Sequence, residues 1–437
     1  MRNIVLVTLD SVRADHCSFM GYHRETTPTL DKMARKGLVF ENAIAAGVGT
    51  PASMMGAFTG LFAPLTDEVN PKIWRLEFDR RKTLAQVLSK LGYSTGAVVP
   101  NTFASSYFGF NKGFQYFQDF LGSGTKFYER IFEKIFKENS KITFFIKNLI
   151  NFVLRREVFT PWEKYYEEIT DWVEKTKEPF FLWILLMDTH FPYLVPRKFR
   201  KWSSFLSMYR SNWKLQSVNF ENRLTERERQ KLIDAYDDSI RYADEFVKRL
   251  IKDLKDYDPI YIIHSDHGDG FGEHGYYMHG FVRNKAVGLY EELIHVPLII
   301  YNTDIKGKIE EPVSLLNLPS TIMDIVGQNS EFSTKSALRS GNTWVLIRTI
   351  ENGQIKVAVR MKNWKFITGQ KEVDELYNLK EDPHEQKNVI NEHSDLAENL
   401  RNIAERYIIR QKPEAMRIIR DIQKIKLNKS DKHAKEV

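Results

Sequence analysis

Ile4-Val-Leu-Val-Thr-Leu9 is an unbroken apolar run of strand length, and the residue that closes it, Asp10, is acidic. Two later stretches repeat that form. Phe180-Phe-Leu-Trp-Ile-Leu-Leu-Met187 gives way to Asp188-Thr-His190, and Ile260-Tyr-Ile-Ile-His264 gives way to Ser265-Asp266-His267. Runs without polar alternation are buried on both faces, as strands inside a parallel sheet are. Helix-period segments lie between them: Pro28 to Lys36, with Thr27 as N-cap and Pro28 at the first helical position, and Thr83 to Leu91, ended by Gly92. Val39–Ala45, Ser94–Val99 and Val296–Tyr301 read as further strands, and Pro51–Phe58 reads as a helix after a Gly-containing turn. The predicted fold class is α/β, a mostly parallel central sheet flanked by helices.

A chain of 437 residues exceeds what one small core needs. The sequence predicts a large α/β catalytic domain over residues 1–330, interrupted at 121–177 by a helical insertion. There Phe127-Tyr128, Ile131-Phe132 and Ile135-Phe136 recur at helical spacing among Lys and Glu, and Ile142–Arg156 continues with a basic, aromatic-rich face. Such a segment either packs on the main domain or meets a membrane or partner surface. Thr343–Ile350, Ile355–Met361 and Trp364–Thr368 read as an antiparallel meander inside a small C-terminal α+β subdomain over 331–400, and 401–437 as a basic helical tail.

Composition narrows the function classes. Apolar residues make up 42% and charged residues 28%, which excludes wholesale disorder. The single cysteine, Cys17, excludes a disulfide framework, a multi-cysteine zinc site and an iron–sulfur cluster. The net charge of +7 is concentrated late: after Tyr407 there are nine Lys/Arg against four Asp/Glu. No nucleic-acid module is recognisable, and the basic residues lie away from the strand ends, so nucleic acid is not an expected partner. The longest apolar run falls far short of the ~20 residues of a membrane span. Asp10 interrupts the first run before a secretory core could form, so a cytoplasmic location is expected.

In open α/β sheets ligands bind beyond the carboxyl ends of the strands. Three separated strands here deliver Asp10, then Asp188 and His190, then Asp266 and His267 to that edge. Carboxylate and imidazole together suit a divalent metal such as Zn²⁺ or Mn²⁺, whereas buried aspartates without a cation repel one another. Asp10, Asp266 and His267 are the best ligands. Gly47-Val-Gly-Thr-Pro-Ala-Ser53 also closes a strand, and the helix after it offers free N–H groups to an anion. Thr50 would be a nucleophile there if a metal lowers its pKa. Ser53 is the competing hydroxyl, and the same stretch also suits an ordinary capped helix. His16, His23, His264 and His274 read as structural or surface residues.

Several motifs together resemble the sulfatase family of the alkaline phosphatase superfamily. They are Asn3-Ile-Val-Leu-Val-Thr-Leu-Asp-Ser-Val-Arg-Ala-Asp15, Thr26-Thr-Pro-Thr-Leu-Asp31, Thr83-Leu-Ala-Gln-Val-Leu-Ser-Lys-Leu-Gly-Tyr93 and Asp188-Thr-His-Phe-Pro-Tyr193. Ser265-Asp-His-Gly-Asp-Gly-Phe-Gly-Glu-His-Gly275, Leu289-Tyr-Glu-Glu-Leu-Ile-His-Val-Pro-Leu298 and Glu375-Leu-Tyr-Asn-Leu-Lys-Glu-Asp-Pro-His-Glu-Gln-Lys-Asn388 follow in the family's order. The resemblance implies an ester hydrolase that uses one or two divalent ions (Zn, Mn or Ca). The chain departs from the family where sulfatases carry Cys/Ser-x-Pro-x-Arg: Thr50, Ala52 and Met54 stand there. Threonine cannot become formylglycine by the sulfatase route. Thr50 resembles instead the nucleophile of the superfamily's nucleotide pyrophosphatases and phospholipid-headgroup transferases.

The family's Asp-Asp pair is Asp10-Ser11 here, and His267 stands where many sulfatases have Asn. Asp10, Thr50, Asp266 and His267 resemble the metal set of phosphonate and phosphodiester hydrolases. By the same resemblance His190 and His279 contact the ester or leaving group, Lys285 competes with His279, and Asp188 with the two histidines would hold a second cation. The expected partner is a small-molecule, glycan or lipid-headgroup anionic ester. The expected activity is hydrolysis of a phosphate or sulfate ester, phosphodiester favoured. The alternatives are a membrane-surface phospho-group transferase with peripheral membrane contact and a non-catalytic anion-binding relative. The sequence carries no signal for an oligomeric state.

Overall fold

The computed structural model describes residues 1–66, 70–120, 161–218, 223–279, 288–339, 341–351, 354–369 and 373–434. The 121–160 part of the expected insertion, including the Phe127–Arg156 segment, and Lys285 lie outside the described residues. Within the remainder of 121–177, a short turn at Trp162–Lys164 leads into the helix Tyr166–Lys175.

The central sheet has eight strands, in the order Gly307–Ile309, Leu38–Phe40, Leu298–Tyr301, Ile260–Ser265, Ile4–Leu9, Phe180–Leu186, Ser94–Val98 and Tyr116–Gln118. Among the described strands of this sheet only Leu298–Tyr301 runs against the others. Every residue of Ile4–Leu9, Phe180–Leu186 and Ile260–Ser265 is buried, the cost and benefit of lying mid-sheet with helices on both faces. One apolar layer gathers Phe58, Phe78, Leu88 and Trp183; the opposite layer gathers Ile184, Tyr236, Phe246 and Leu250, the last three from the long helix Glu226–Asp253.

Two expected strands are each broken in two. Val39–Ala45 resolves into Leu38–Phe40 and Ala43–Ile44, and Val296–Tyr301 into His295–Val296 and Leu298–Tyr301. The segments run antiparallel along each other, pairing Ile299 with Val39 in the central sheet and Val296 with Ala43 in a small three-stranded one. Pro297, which has no N–H to give a ladder, sits at the break. Thr27 also departs from expectation. Its hydroxyl donates to Asp31 Oδ1 rather than capping the Pro28–Ala34 helix, whose free N–H groups at Thr29 and Leu30 go instead to the Asp244 carboxylate.

A separate antiparallel sheet of four strands, Trp344–Glu351, Gln354–Met361, Trp364–Gly369 and Glu375–Asn378, follows. The long helix Ser394–Ala434 packs on it through Ala397, Leu400 and Ala404, which meet Val357, Val359 and Phe366 in a third apolar cluster.

Candidate active site

Register places the site. Leu9 lies opposite Leu186 on one side and Ser265 on the other, so three parallel strands end at one level. Asp10 then leaves the first strand and Asp266 the third on the same edge. The Asp10 N–H donates to Leu186 O at 3.0 Å, which holds its carboxylate just past the ladder. Ser11 takes a left-handed backbone (φ 62°), uncommon for a non-glycine residue. The bend is held by the Ser11 N–H to Asp266 Oδ1 (3.1 Å) and by the Tyr236 hydroxyl, which donates to Ser11 O (2.7 Å).

Asp10, Asp266 and His267 are all fully buried, and one ligand atom from each lies within 4.8 Å of the others. Asp10 Oδ1 accepts from Ser11 Oγ at 2.9 Å, and Asp10 Oδ2 accepts from Asn101 Nδ2 at 2.8 Å. Asp266 Oδ1 also accepts the His267 N–H (2.9 Å), while Asp266 Oδ2 has no hydrogen-bond partner among the described residues and lies 3.5 Å from His267 Nε2. His267 Nδ1 is 2.9 Å from Gly268 O, which can only accept. Nδ1 therefore carries a proton, and Nε2, which faces the two carboxylates, is the nitrogen whose lone pair a cation would take in place of a second proton.

Burial, with the nearby Asp10 charge, pushes the Asp266 carboxyl up to about 6. Burial works against a charged His267, but Asp266 and Asp10 outweigh it and raise its pKa. Two buried carboxylates, an orphaned oxygen and an imidazole lone pair facing one point make a donor set for a divalent cation. The residues fit the metal that the sequence anticipates.

Thr50 begins the helix Thr50–Thr59 and is buried, with Oγ1 3.3 Å from Asp10 Oδ2 and 3.4 Å from His267 Nε2. Gly47 is needed for close approach: a Cβ there would lie 2.6 Å from the Ala52 Cβ. Gly49, at φ 166°, is ordinary extended backbone. Ser53 is occupied structurally, donating to Asp266 O at 2.6 Å and accepting the Ala46 N–H.

A second group adjoins the first. His267, Asp269 and His279 are buried and also converge within ligand distance. Asp269 Oδ1 pairs with His279 Nδ1 at 2.6 Å, and Asp269 Oδ2 accepts from the Tyr193 hydroxyl at 2.7 Å. Burial raises the Asp269 carboxyl, but His279 and the neighbouring imidazoles outweigh it and hold its pKa down. The His279 ring lies 4.3 Å from that of His267 and 5.2 Å from that of His190. His190 Nδ1 donates to Phe191 O at 2.5 Å. The Asp188 carboxylate accepts the Trp162 N–H at 3.2 Å.

Asn101, Asp269 and Tyr193 are the site residues that sequence reasoning missed. Asp269 stood inside the quoted Ser265–Gly275 motif, three residues after Asp266. Asn101 follows the Ser94–Val98 strand by the same strand-end logic that found Asp10. His264, in contrast, is spent on structure: Nδ1 donates to Ser265 O and Nε2 meets Thr8 Oγ1 at 2.9 Å.

Comparison with known proteins gives the family and the fold. The sulfatase family model matches residues 2–328. An arylsulfatase of Clostridium perfringens is 26% identical over 92% of this chain and 93% of its own. The phosphoethanolamine transferase EptA of Helicobacter pylori is 25% identical over 68% of this chain, which spans about half (47%) of that protein. Among solved structures, the 2-O GAG sulfatase BT1596 superposes with a TM-score of 0.69 at 17% identity, covering 94% of this chain and 92% of that one. The phosphonate monoester hydrolase of Agrobacterium radiobacter gives 0.67 at 16% identity, covering 95% and 96%. The chain belongs to the sulfatase family.

Proposed function

We propose that this protein is a divalent-cation-dependent enzyme that cleaves or transfers a phosphate ester, phosphodiester favoured over sulfate ester, with Thr50 as nucleophile. The observation that carries the reading is the buried Thr50 hydroxyl within 3.4 Å of both Asp10 Oδ2 and His267 Nε2. Asp10, Asp266 and His267 would hold the cation, which when bound lowers the pKa of a nearby hydroxyl and offsets substrate charge.

The chain's own residues supply the rest. Asp10 Oδ2 accepts from Thr50 Oγ1, which aims the oxygen's lone pairs into the site. The N-terminus of the Thr50–Thr59 helix favours an anion in front of it. In-line attack makes the Oγ1–phosphorus bond as the Oγ1 proton passes to Asp10 Oδ2 and the bond to the leaving oxygen breaks. Asp269 holds His279 through Nδ1, and that oxygen takes its proton from Nε2 of the imidazolium; burial and the charge of His267 lower the His279 pKa, which makes this form a ready acid, and His190 is the other imidazole in reach of the role. Water, or an acceptor alcohol, then displaces Thr50 from the phospho-threonine and restores the hydroxyl.

Ser11 stands where the family's second carboxylate would, and its hydroxyl donates to Asp10 Oδ1, which leaves Asp10 and Asp266 as the acidic ligands for a divalent ion.

Thr50→Ala should lower turnover of an aryl phosphodiester by about a thousandfold or more under Mn²⁺ or Zn²⁺. Undiminished turnover would refute the nucleophile, and faster cleavage of the matching aryl sulfate would reverse the substrate ranking. Similarity to phosphoethanolamine transferases favours a second reading, transfer of a headgroup to an acceptor at a lipid surface. Added acceptor alcohol should then divert product from hydrolysis to transfer, and the protein should float with anionic liposomes. A protein that takes up no divalent ion would favour a non-catalytic relative.

A further inference from the structure

Asp269 and His279 stand at the base of a two-stranded ribbon, Gly270–Phe271 paired with Tyr277–Met278. So short a ribbon has little stability of its own, so its pose depends on what holds it. The base is held by the Gly268 N–H to Leu293 O at 2.9 Å. The tip carries His274, a residue the chemistry above does not use.

His274 is gripped on three sides. Nε2 lies 3.1 Å from the backbone oxygen of Glu385, and Nδ1 lies 2.7 Å from Glu292 Oε1. Both partners are acceptors, so both ring nitrogens carry protons and the ring is an imidazolium. It lies flat on Tyr290, centroids 3.7 Å apart and planes 4° apart, as a cation stacks on an aromatic face. Glu385 is itself fixed in a left-handed conformation (φ 55°) by its side chain. Oε2 accepts the Glu291 N–H at 2.6 Å, and Oε1 meets the fully buried Lys365 Nζ at 2.5 Å.

We propose that His274 is a positioning residue, an imidazolium latch that ties the ribbon tip to Glu292 and, through Glu385, to the C-terminal sheet, and so sets the pose of the Asp269–His279 pair. The His274 ring faces Glu292 and Tyr290 from one segment and Glu385 from another. Behind these stand Glu291, Lys365 and Glu375, and Arg223 lies over Gly275. Burial disfavours the charged ring, but the bond and charge of Glu292 and the Glu385 oxygens outweigh it and raise the His274 pKa. A cation with a raised pKa holds at and below the ordinary histidine value and lets go as pH rises through the raised one. The latch therefore loosens as pH rises above the ordinary histidine value.

The test is hydrogen exchange on the full-length chain carrying His274→Phe, His274→Gln or Glu292→Gln. Phenylalanine keeps the stacking and loses both donors. Amides of 268–279 should exchange about tenfold faster, while Ile4–Leu9 and Trp344–Met361 are unchanged. In the wild type, ribbon protection should fall with rising pH beyond the intrinsic exchange rate, and His274→Phe should abolish that dependence. Unchanged ribbon exchange in His274→Phe overturns the proposal. If that variant loosens the whole chain, His274→Gln decides: selective loosening of the ribbon supports the latch, and global or no loosening overturns it. A kinetic arm rests on the reading of His279 given above: kcat should fall about 10–100-fold with KM within threefold. The exchange arm needs no turnover, so it stands or falls separately from the proposed activity.

Discussion

At the scale of single residues, the site is built from side chains whose second atoms are already engaged. Asp10 gives one oxygen to Ser11 Oγ and the other to Asn101, and His267 commits Nδ1 to Gly268 O. What is left pointing inward is chemically narrow: one imidazole lone pair, one orphaned carboxylate oxygen on Asp266, and a threonine hydroxyl. Gly268 makes the arrangement sterically possible, since a Cβ at that position would lie 2.1 Å from the backbone oxygen of Glu292. Backbone cannot swing aside as a side chain does. Gly268→Ala should therefore cost about 1–3 kcal/mol in urea unfolding and weaken divalent-ion uptake measured by titration calorimetry. A variant as stable and as metal-competent as the parent would contradict the close approach.

At the scale of elements, the clearest case is how the C-terminal helix docks. Glu77, on the helix Pro71–Asp79, is 2% exposed and bonded to Arg80, Arg81 and Arg417, the last from the Ser394–Ala434 helix. Burial would raise its pKa, but the hydrogen bonds from Arg417 and Arg80 and the charge of Arg81 outweigh it and bring it to about 2. A depressed carboxyl contributes stability above its unfolded pKa and loses it as pH falls toward the folded one. Acid titration of the fold should show a loss between about 4.5 and about 2 that Glu77→Gln removes. The size should be about 1–2 kcal/mol, since Arg80 and Arg417 are partly in solvent. An acid profile identical in the variant would rule the contact out as a source of stability.

Elements also show where sequence is legible and where it is not. The strands Ile4–Leu9, Phe180–Leu186 and Ile260–Ser265 could be read because burial on both faces writes them as continuous apolar runs. Asp10, Asp266 and His267 could be read because they follow such runs. The sheet switch near Pro297 could not, since each half-strand takes its character from a partner some 250 residues away. The same holds for Asn101, whose role is a bond to Asp10 across 91 positions, and for the fourth strand Glu375–Asn378, which only Trp364–Gly369 defines.

At the scale of the whole molecule, a cation held by the buried Asp10–Asp266 pair would couple its binding to folding. Each carboxylate is desolvated whether or not a counter-ion is present, so a bound divalent ion should stabilise the native state by mass action. At about 100-fold excess over its dissociation constant the gain is about 2.7 kcal/mol, a rise of several degrees in melting temperature that chelator should reverse. Asp266→Asn should abolish the rise; a rise that persists in that variant would place the ion elsewhere. No described helix is long and apolar enough to cross a membrane.

Lys365 and Arg360 of the antiparallel sheet both pair with Glu291, beside the segment that carries Tyr290 and Glu292. The boundary between the two sheets is thus not a linker but a shared knot of buried charge. A recombinant half ending near residue 330 would strand Glu291 in the interior without Arg360 and Lys365, so a cut there runs through the keystone rather than along a seam.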